Sequence, residues 1–391
     1  MTAILQTSSS FACATASGAD WRDVGRKVLE ALESVRTEGD GMNIGFIYAT
    51  PQLAGDMTAL LSLLKTVTRV NAWYGATGQG ICGGGVSHAS GPAAVAMIGK
   101  MPEGSFTGFS IPENDTGTLP ANLRTWLSGH MASCSITHGI LCAQGAQHLR
   151  HMRERDGLYT IGGFTAAAQG GIHISDGNVV RSGEPLSGVM FDGNVRLMSA
   201  AAFGCIPAGR MGRISKCAGN VIEMIDDMPA SVFLHDAIDQ LHIDDPDPDR
   251  ARHGHVHAAF PITGSDRANF LMRNITEVDD TKGHITVAHA FERGDSIQFV
   301  YRDRVTASAD LSQVSRGLYA RAADEHGAAN LKPKAILYFG CGARLPTGDA
   351  TDEAAILKAV FGDVPMAGFY TAAEISNGHV YGYTGIIVLL L

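Results

Sequence analysis

A chain of 391 residues is long for one hydrophobic core and predicts two domains. With 45% apolar and 18% charged residues it is globular rather than disordered, and its 47 glycines call for many tight turns or close backbone approaches. A formal charge of −9, with no basic stripe, excludes a protein that tracks nucleic-acid phosphates.

The first helix is expected after Asp20, a good N-cap, because Val24, Val28, Ala31 and Leu32 recur at helical spacing. Ile44–Tyr48 follows as a buried strand. The stretch from Pro51 to Lys65 reads as a helix with Met57, Leu60, Leu61 and Leu64 on one side, and Val70–Tyr74 as the next strand. Gly75, Gly78, Gly80, Gly83, Gly84 and Gly85 then crowd an expected loop. Ala93–Ile98 is a strand, Leu123–Met131 a helix, Ile136–Ala143 a strand, Gly145–Arg155 a basic helix and Tyr159–Phe164 a strand. Gly188–Phe191 and Val195–Phe203, joined by Asp192-Gly193-Asn194, predict a hairpin. Ser231–Gln240 predicts a helix. The acidic run Asp244–Asp249, with its two X-Pro steps, predicts a solvated loop or linker. Val256–Ile262, Ile285–Ala288 and Ser296–Arg302 are strands, and Leu311–Ala323 is a helix. In the last unit, Ala335–Phe339 is a strand. Thr351, Asp352 and Glu353 open a helix that buries Ile356, Leu357, Val360 and Phe361 and stops at Gly362; Val364–Phe369 and Gly382–Leu390 follow as strands.

One pattern occurs in three variants. Ala335–Ile375 shows it most clearly, Ile44–Ile81 repeats its grammar, and Leu158–Thr165 closes on Gly163-Phe164-Thr165-Ala166-Ala167, close to Gly368-Phe369-Tyr370-Thr371-Ala372-Ala373. The expected class is therefore mixed α/β (α+β): two related halves with duplicated strand-helix-strand units, and mixed sheets flanked by helices. The glycine-rich strand ends are the places to look for a ligand.

Seven scattered cysteines, odd in number and without a C-x-x-C pair, fit reduced thiols rather than a disulfide framework. No charged, apolar leader precedes Arg22, and no apolar run reaches membrane-spanning length, so a cytoplasmic protein with no membrane partner is expected.

Several residues carry chemistry. The run Gly78–Gly85, containing Gly80 and Cys82, could cradle an anion or a flat ligand, or could simply turn the chain; no Gly-Lys-Ser/Thr follows, so it is not a P-loop. Arg344 and Glu374 stand at the ends of adjacent expected strands. They would orient an amino-acid-like ligand or form a structural salt bridge, with Arg273, Arg302 and Asp303 extending the cluster. Cys341 lies close to Arg344, and reads either as an activated thiol or as a buried, inert one. His253, His255 and His257 share one face if the segment is a strand, a spacing that could serve a divalent ion or continue the acidic loop.

The chain resembles the FIST family of sensory modules, built from FIST-N and FIST-C halves. The resemblance is carried by Leu337-Tyr338-Phe339-Gly340-Cys341-Gly342-Ala343-Arg344, Gly362-Asp363-Val364-Pro365-Met366-Ala367-Gly368-Phe369, Glu374-Ile375-Ser376 and Tyr381-Gly382-Tyr383-Thr384-Gly385. Phe270–Asn274, Tyr301-Arg302-Asp303, Trp73-Tyr74-Gly75, Gly80-Ile81-Cys82, Leu186–Val189 and Gly204–Pro207 add to it in order. Leu345 and Ala373 depart from it, standing where the family commonly has glycine. The resemblance implies a FIST-N domain over residues 11–227 and a FIST-C domain over 228–391. It also implies a non-enzymatic sensor of a small molecule, amino acids being the proposed ligands, that signals through a partner such as a histidine kinase. A haem-binding, nitric-oxide-responsive branch, NosP, adds haem b as an implied cofactor. Without a C-x-x-C-H motif, haem b would rest on one axial imidazole. His173, behind Gly170-Gly171 and between Ile172 and Ile174, is the first candidate, then His138 and His257; each also reads as a hydrogen-bonded core histidine.

Overall fold

A strand, a helix and a parallel strand form the unit on which this chain is built, and the unit occurs three times. A computed structural model describes residues 2–35, 41–112, 119–130, 134–166, 171–180, 184–241, 255–261, 270–289, 291–327, 331–346 and 352–391. The chain divides into two bodies, Met1–Ala202 with Leu311–Leu391, and Phe203–Asp310. The three copies belong to the first.

After β1 (Ile4–Thr7), the first copy runs β2 (Phe11–Ser17), α1 (Trp21–Glu33), β3 (Ile44–Ala49), α2 (Met57–Thr68), β4 (Ala72–Thr77), β5 (Gly80–Gly83), β6 (Val86–His88) and β7 (Ala93–Gly99). Asp20 caps α1 as expected, its Oδ1 accepting from the backbone N–H groups of Arg22 and Asp23 at 2.8 and 2.9 Å. The second copy runs β8 (Phe106–Ile111), α3 (Ala121–His130), β9 (Cys134–Ile140), α4 (Ala143–Glu154), β10 (Tyr159–Thr165), β11 (His173–Ser175), β12 (Asn178–Val180) and β13 (Leu186–Phe191). The third opens with β14 (Leu197–Ala202).

The second body follows in the chain: β15 (Ile206–Ala218), β16 (Val221–Ile225), β17 (Met228–Pro229), α5 (Ala230–Asp239), β18 (Val256–Pro261), β19 (Phe270–Arg273), β20 (Ile275–Asp279), β21 (His284–Val287) and β22 (Ser296–Tyr301). Its strands form an antiparallel sheet of order β19-β18-β22-β15-β16-β21-β20, with β17 on β16. Phe233, Leu234 and Ala237 of α5 close its core against Ile214, Ile285 and Phe299. The acidic run Asp244–Asp249 and His253 lie outside the described residues. The chain continues through α6 (Arg304–Glu325) and completes the third copy with β23 (Ala335–Cys341), α7 (Glu353–Phe361), β24 (Met366–Thr371), β25 (Ala373–Ser376), β26 (His379–Tyr381) and β27 (Gly385–Leu390).

In each copy the first strand of the parallel pair takes an antiparallel neighbour from the end of the same copy. Thus β3 pairs β4 and β7, β9 pairs β10 and β13, and β23 pairs β24 and β27. The short hairpin between them leaves its own sheet. β5 pairs β24 of the third copy, β11 pairs β4 of the first, and β25 pairs β10 of the second. Each copy therefore completes another's sheet in a closed cycle. The resulting orders are β1-β2-β7-β3-β4-β11-β12, β26-β25-β10-β9-β13-β8 and β14-β27-β23-β24-β5-β6. The exchanged hairpins turn on Gly84-Gly85 (φ 66° and 85°), Asp176-Gly177 (47° and 75°) and Asn377-Gly378 (48° and 72°). Two successive positive φ values are what a two-residue turn matching strand twist requires.

Each sheet turns one face to a shared core, where Phe46, Tyr48 and Met97 meet Ile136, Ile161 and Val189 and Leu337, Phe339 and Val388. The outer faces are covered by α1 and α2, by α3 and α4, and by α7 with the part of α6 from Leu311 onward. Burial on both faces is why these strands read as continuous apolar runs rather than alternating ones. The backbones of the parallel pairs approach closely at three equivalent glycines. A Cβ on Gly75, Gly162 or Gly368 would stand 1.8, 1.9 or 2.2 Å from the carbonyl oxygen of Ile47, Thr137 or Tyr338.

The mixed α/β class holds, while some elements differ from expectation. The run Gly78–Gly85 is not an open loop: Gly80–Gly83 is a buried strand. The glycines remain because a Cβ on Gly83 would meet Thr15 Oγ1 at 2.2 Å and one on Gly78 the Phe369 ring at 2.5 Å. β13 and β14 do not pair as a hairpin, because Asp192 holds the chain in a turn (its backbone N–H donates to the Ser105 carbonyl at 2.9 Å) that delivers β14 to β27 in another sheet. The helix expected from Pro51 begins at Met57, after a 3-10 turn at Pro51–Leu53. Among the described residues no helix is long and apolar enough to cross a membrane.

Candidate functional site

Residues opposite one another in a ladder share a face, so the registers align equivalent positions of the three copies. The first parallel strands contribute Tyr48, His138 and Phe339, and the second Ala76, Gly163 and Phe369. The exchanged hairpins contribute Ile81, His173 and Glu374, and the last strands Val95, Ser187 and Ile386. Tyr48, His138 and Phe339 meet in a near-equilateral triangle, with ring centroids 5.6, 6.1 and 6.1 Å apart. Phe369 covers it, stacked on Tyr48 at 5.0 Å. One large ring is accommodated there because its equivalents are alanine and glycine.

The copies differ in where they bury polar groups. In the second, the ring of His173 is fully used: Nε2 donates to the Glu184 carbonyl at 2.9 Å, so Nδ1 accepts from Ser187 Oγ at 2.5 Å. Burial holds this imidazole neutral, with its pKa down to about 4. His138 Nε2 lies 3.1 Å from the Tyr48 hydroxyl, and burial, reinforced by His173, takes its pKa down to about 3.

The third copy buries an arginine and two glutamates, Arg344, Glu353 and Glu374. Glu374 is fully buried, its carboxyl accepting from Thr371 Oγ1 at 2.6 Å and from the Thr384 backbone N–H at 2.9 Å. Burial pushes its pKa up to about 8, against the opposing pull of Thr371, the Thr384 N–H, Arg344 and the Cys341 thiol. The expected Arg344–Glu374 ion pair is not formed. Arg344 Nε and Nη2 both donate to Glu353 Oε1 at 2.7 Å, and Nη1 donates to the Tyr383 carbonyl at 3.0 Å. Glu353 also accepts from the Tyr338 hydroxyl at 2.5 Å. Burial works against the guanidinium's charge, but the Glu353 carboxylate more than reverses this. Arg344 thus pins the 3-10 turn Gly342–Arg344 to the first turn of α7, and all its nitrogens are committed to protein. Beside it, Ser87 of the exchanged hairpin donates to Asp352 at 2.6 Å and lies 2.8 Å from the Tyr370 hydroxyl.

Of the other residues singled out, Cys341 lies in this cluster beside Glu374, 8% exposed. Gly80 and Cys82 are on β5; burial, then Asp352, keeps the Cys82 thiol protonated. Arg273, Arg302 and Asp303 belong to the second body. There Arg273 donates to the Met272 carbonyl at 2.8 Å and Asp303 caps α6 through the Thr306 N–H at 2.6 Å. His257 is also there, with Asn274 as a hydrogen-bond partner and its pKa lowered to about 4 by burial and Arg302. His255 Nδ1 meets the Arg302 carbonyl at 2.9 Å. Among the described residues no group of three His, Cys, Asp or Glu side chains could hold a metal ion.

A haem iron needs a ring nitrogen free to reach it across an apolar cavity. His173 has none free, and His138 is walled in by Tyr48, Phe339 and Phe369. As arranged, His173 and His138 do not fit an axial ligand. Haem added to the purified protein is expected to give no Soret band that depends on His173; a band abolished by His173→Ala would reverse this.

Sequence reasoning missed Glu353, Tyr338, Thr371 and Thr384 as partners of the cluster. Glu353 reads as an ordinary acid in a helical first turn and Tyr338 as one more apolar strand residue, so no local signal marked either. Asp352 was visible as a helix start and does cap α7, accepting from the Ala354 N–H at 2.9 Å.

Two family models cover most of the chain, the FIST N domain over residues 43–228 and the FIST C domain over residues 230–377. Uncharacterised proteins from two Mycobacterium tuberculosis strains, CDC 1551 and H37Rv, are each 24% identical over 390 residues, spanning 94% of this chain and 97% of their own. An uncharacterised Mycobacterium bovis protein is 26% identical over 256 residues, 60% of this chain and 61% of its own. The threefold body with its buried polar cluster is thus the form taken here by a FIST domain pair: the chain belongs to the FIST family, whose domains are associated with small-ligand sensing in signal transduction.

Proposed function

We propose that this protein is a sensor whose ligand is a small molecule bearing a protonated amine. The amine is recognised at the carboxyl ends of the third copy's parallel strands, around Cys341, Thr371, Glu374 and Thr384. The observation that carries the reading is the set Ile81, His173 and Glu374. One repeated position accepts an apolar residue in one copy, so the scaffold does not demand a carboxyl there, yet the third copy buries one at a cost in stability. Arg344 is spent on Glu353 and Tyr383, which leaves carboxyl and hydroxyl oxygens to meet the ligand, and these select a cationic N–H donor. An amino acid meets the requirement through its ammonium group. Binding would draw Glu374 into its charged form and bias the packing of the strand ends, a population shift that a partner protein such as a histidine kinase would read.

Thermal melts at pH 7 against a panel of amines, amino acids and simple carboxylates test this. At roughly 100-fold excess over Kd, an amine-bearing ligand is expected to raise Tm by several degrees. Carboxylates lacking the amine, and the Glu374→Gln variant with any ligand, should show no shift. A shift retained in Glu374→Gln, or none with any amine, would overturn the reading.

A further inference from the structure

We infer that the solvent face of α4, extended by Arg124 of α3, docks an acidic protein surface; this rests on the reading above that the protein signals through a partner. The three helices α2, α4 and α7 occupy equivalent places, each lying over the turn of an exchanged hairpin. A Cβ on the turn glycine would meet Lys65 at Gly177 (2.9 Å), Arg153 at Gly378 (2.7 Å) and Lys358 at Gly85 (2.4 Å). One cation over the turn is therefore common to all three copies, and Arg153 belongs to the scaffold.

The rest of the α4 face does not. Counting from that shared cation, Arg150 corresponds to Ser62 and Ala355, and Arg155 to Val67 and Val360. Small or apolar residues satisfy the same positions in the other two copies, so the fold has no need of arginine there. Arg150, Arg155 and Arg124 are all exposed. They flank the exposed side of the helix: Arg150 and Arg153 stand toward β26, acting electrostatically on His379, while Arg155 and His151 stand toward α3, acting with Arg124 on Asp156. Arg153 also donates to His379 Nε2. Among the described residues of the patch, four guanidiniums stand against two carboxylates, Asp156 and Glu154, the latter already paired with Arg153 at 3.1 Å. On a chain of net charge −9, this concentration on one helix is complementary to carboxylates presented by another protein, since guanidinium binds carboxylate bidentately.

The probe is fluorescein-labelled poly-L-glutamate of about 20 residues, titrated with the full-length protein and followed by anisotropy in 50 and 200 mM salt. The parent is expected to bind with an affinity that falls steeply with salt. The doubly reversed variant Arg150→Glu/Arg155→Glu should bind at least tenfold more weakly, and Ser62→Glu/Thr66→Glu, on the equivalent face of α2, should bind like the parent. These substitutions are solvent-exposed, and an unchanged melting temperature verifies the fold. Glu374→Gln should bind the probe normally, so loss of the amine response and loss of docking are separable. Equal binding by the α4 variant, no binding by the parent, or an α4-dependent affinity for phosphatidylserine vesicles or single-stranded RNA in place of polyglutamate would overturn the inference.

Discussion

Replacing Glu374 by glutamine should make the protein more stable at pH 8, by on the order of a few kcal/mol, and change it little at pH 5. Burial raises this carboxyl from 4.5 to about 8 in the folded chain. Between those values the native state keeps a proton that the unfolded chain has released, so the parent loses stability as pH rises through the window and levels off above it. Glutamine cannot ionise. Its carbonyl can still accept from the Thr384 N–H, which would otherwise be left buried without a partner. Urea unfolding at pH 5, 6.5 and 8 should show the two curves separating with rising pH. Parallel curves would mean that Glu374 is not held in a strained protonation state, and would remove the stability–function trade-off on which the ligand proposal rests.

The largest loss should come from adding one methyl group, Gly162→Ala. The new Cβ would stand 1.9 Å from the Thr137 carbonyl oxygen, and the residue sits at a φ of 150° that alanine rarely adopts. No flexible side chain can yield, because the obstacle is backbone; β10 would have to leave β9. A cost of about 4 kcal/mol or more is expected, enough to deplete the soluble folded protein. Gly157→Ala is the control. It changes a glycine at φ 65° with nothing within 4 Å, and should cost about 1–2 kcal/mol. Equal losses in the two variants, measured by denaturant unfolding, would show that the close approach of the parallel strands is not what Gly162 serves.

Much of the scaffold is legible in local chemistry. Asp20 and Asp352 cap the helices that their position announces, and the apolar stripe of α2 is the one that spacing predicts. The echo among the three segments is real repetition. The hairpins are written in the sequence as well, in Gly84-Gly85, Asp176-Gly177 and Asn377-Gly378, yet Asp192-Gly193, a turn signal of the same kind, passes the chain between sheets. A turn dipeptide states that the chain reverses; it does not state which strand waits on the other side.

The site was less legible for the same reason. Arg344 and Glu374 are both buried and near the same strand ends, as their positions suggest, but Arg344 pairs with Glu353, nine residues on, across the 3-10 turn and into α7. Which carboxylate a guanidinium reaches depends on angles and packing set by the whole sheet. The sequence by itself determined the mixed α/β class, the repeated strand-helix-strand unit and the local caps, because those follow from side-chain periodicity and backbone preference within a few residues. Only the tertiary structure decided that each copy lends its hairpin to another's sheet, that Tyr48, His138 and Phe339 meet, and that Glu374 is buried where an equivalent strand carries Ile81. Those outcomes depend on contacts between segments far apart in the chain, Tyr48 and His138 being 90 residues apart, where burial rather than local propensity selects the partner.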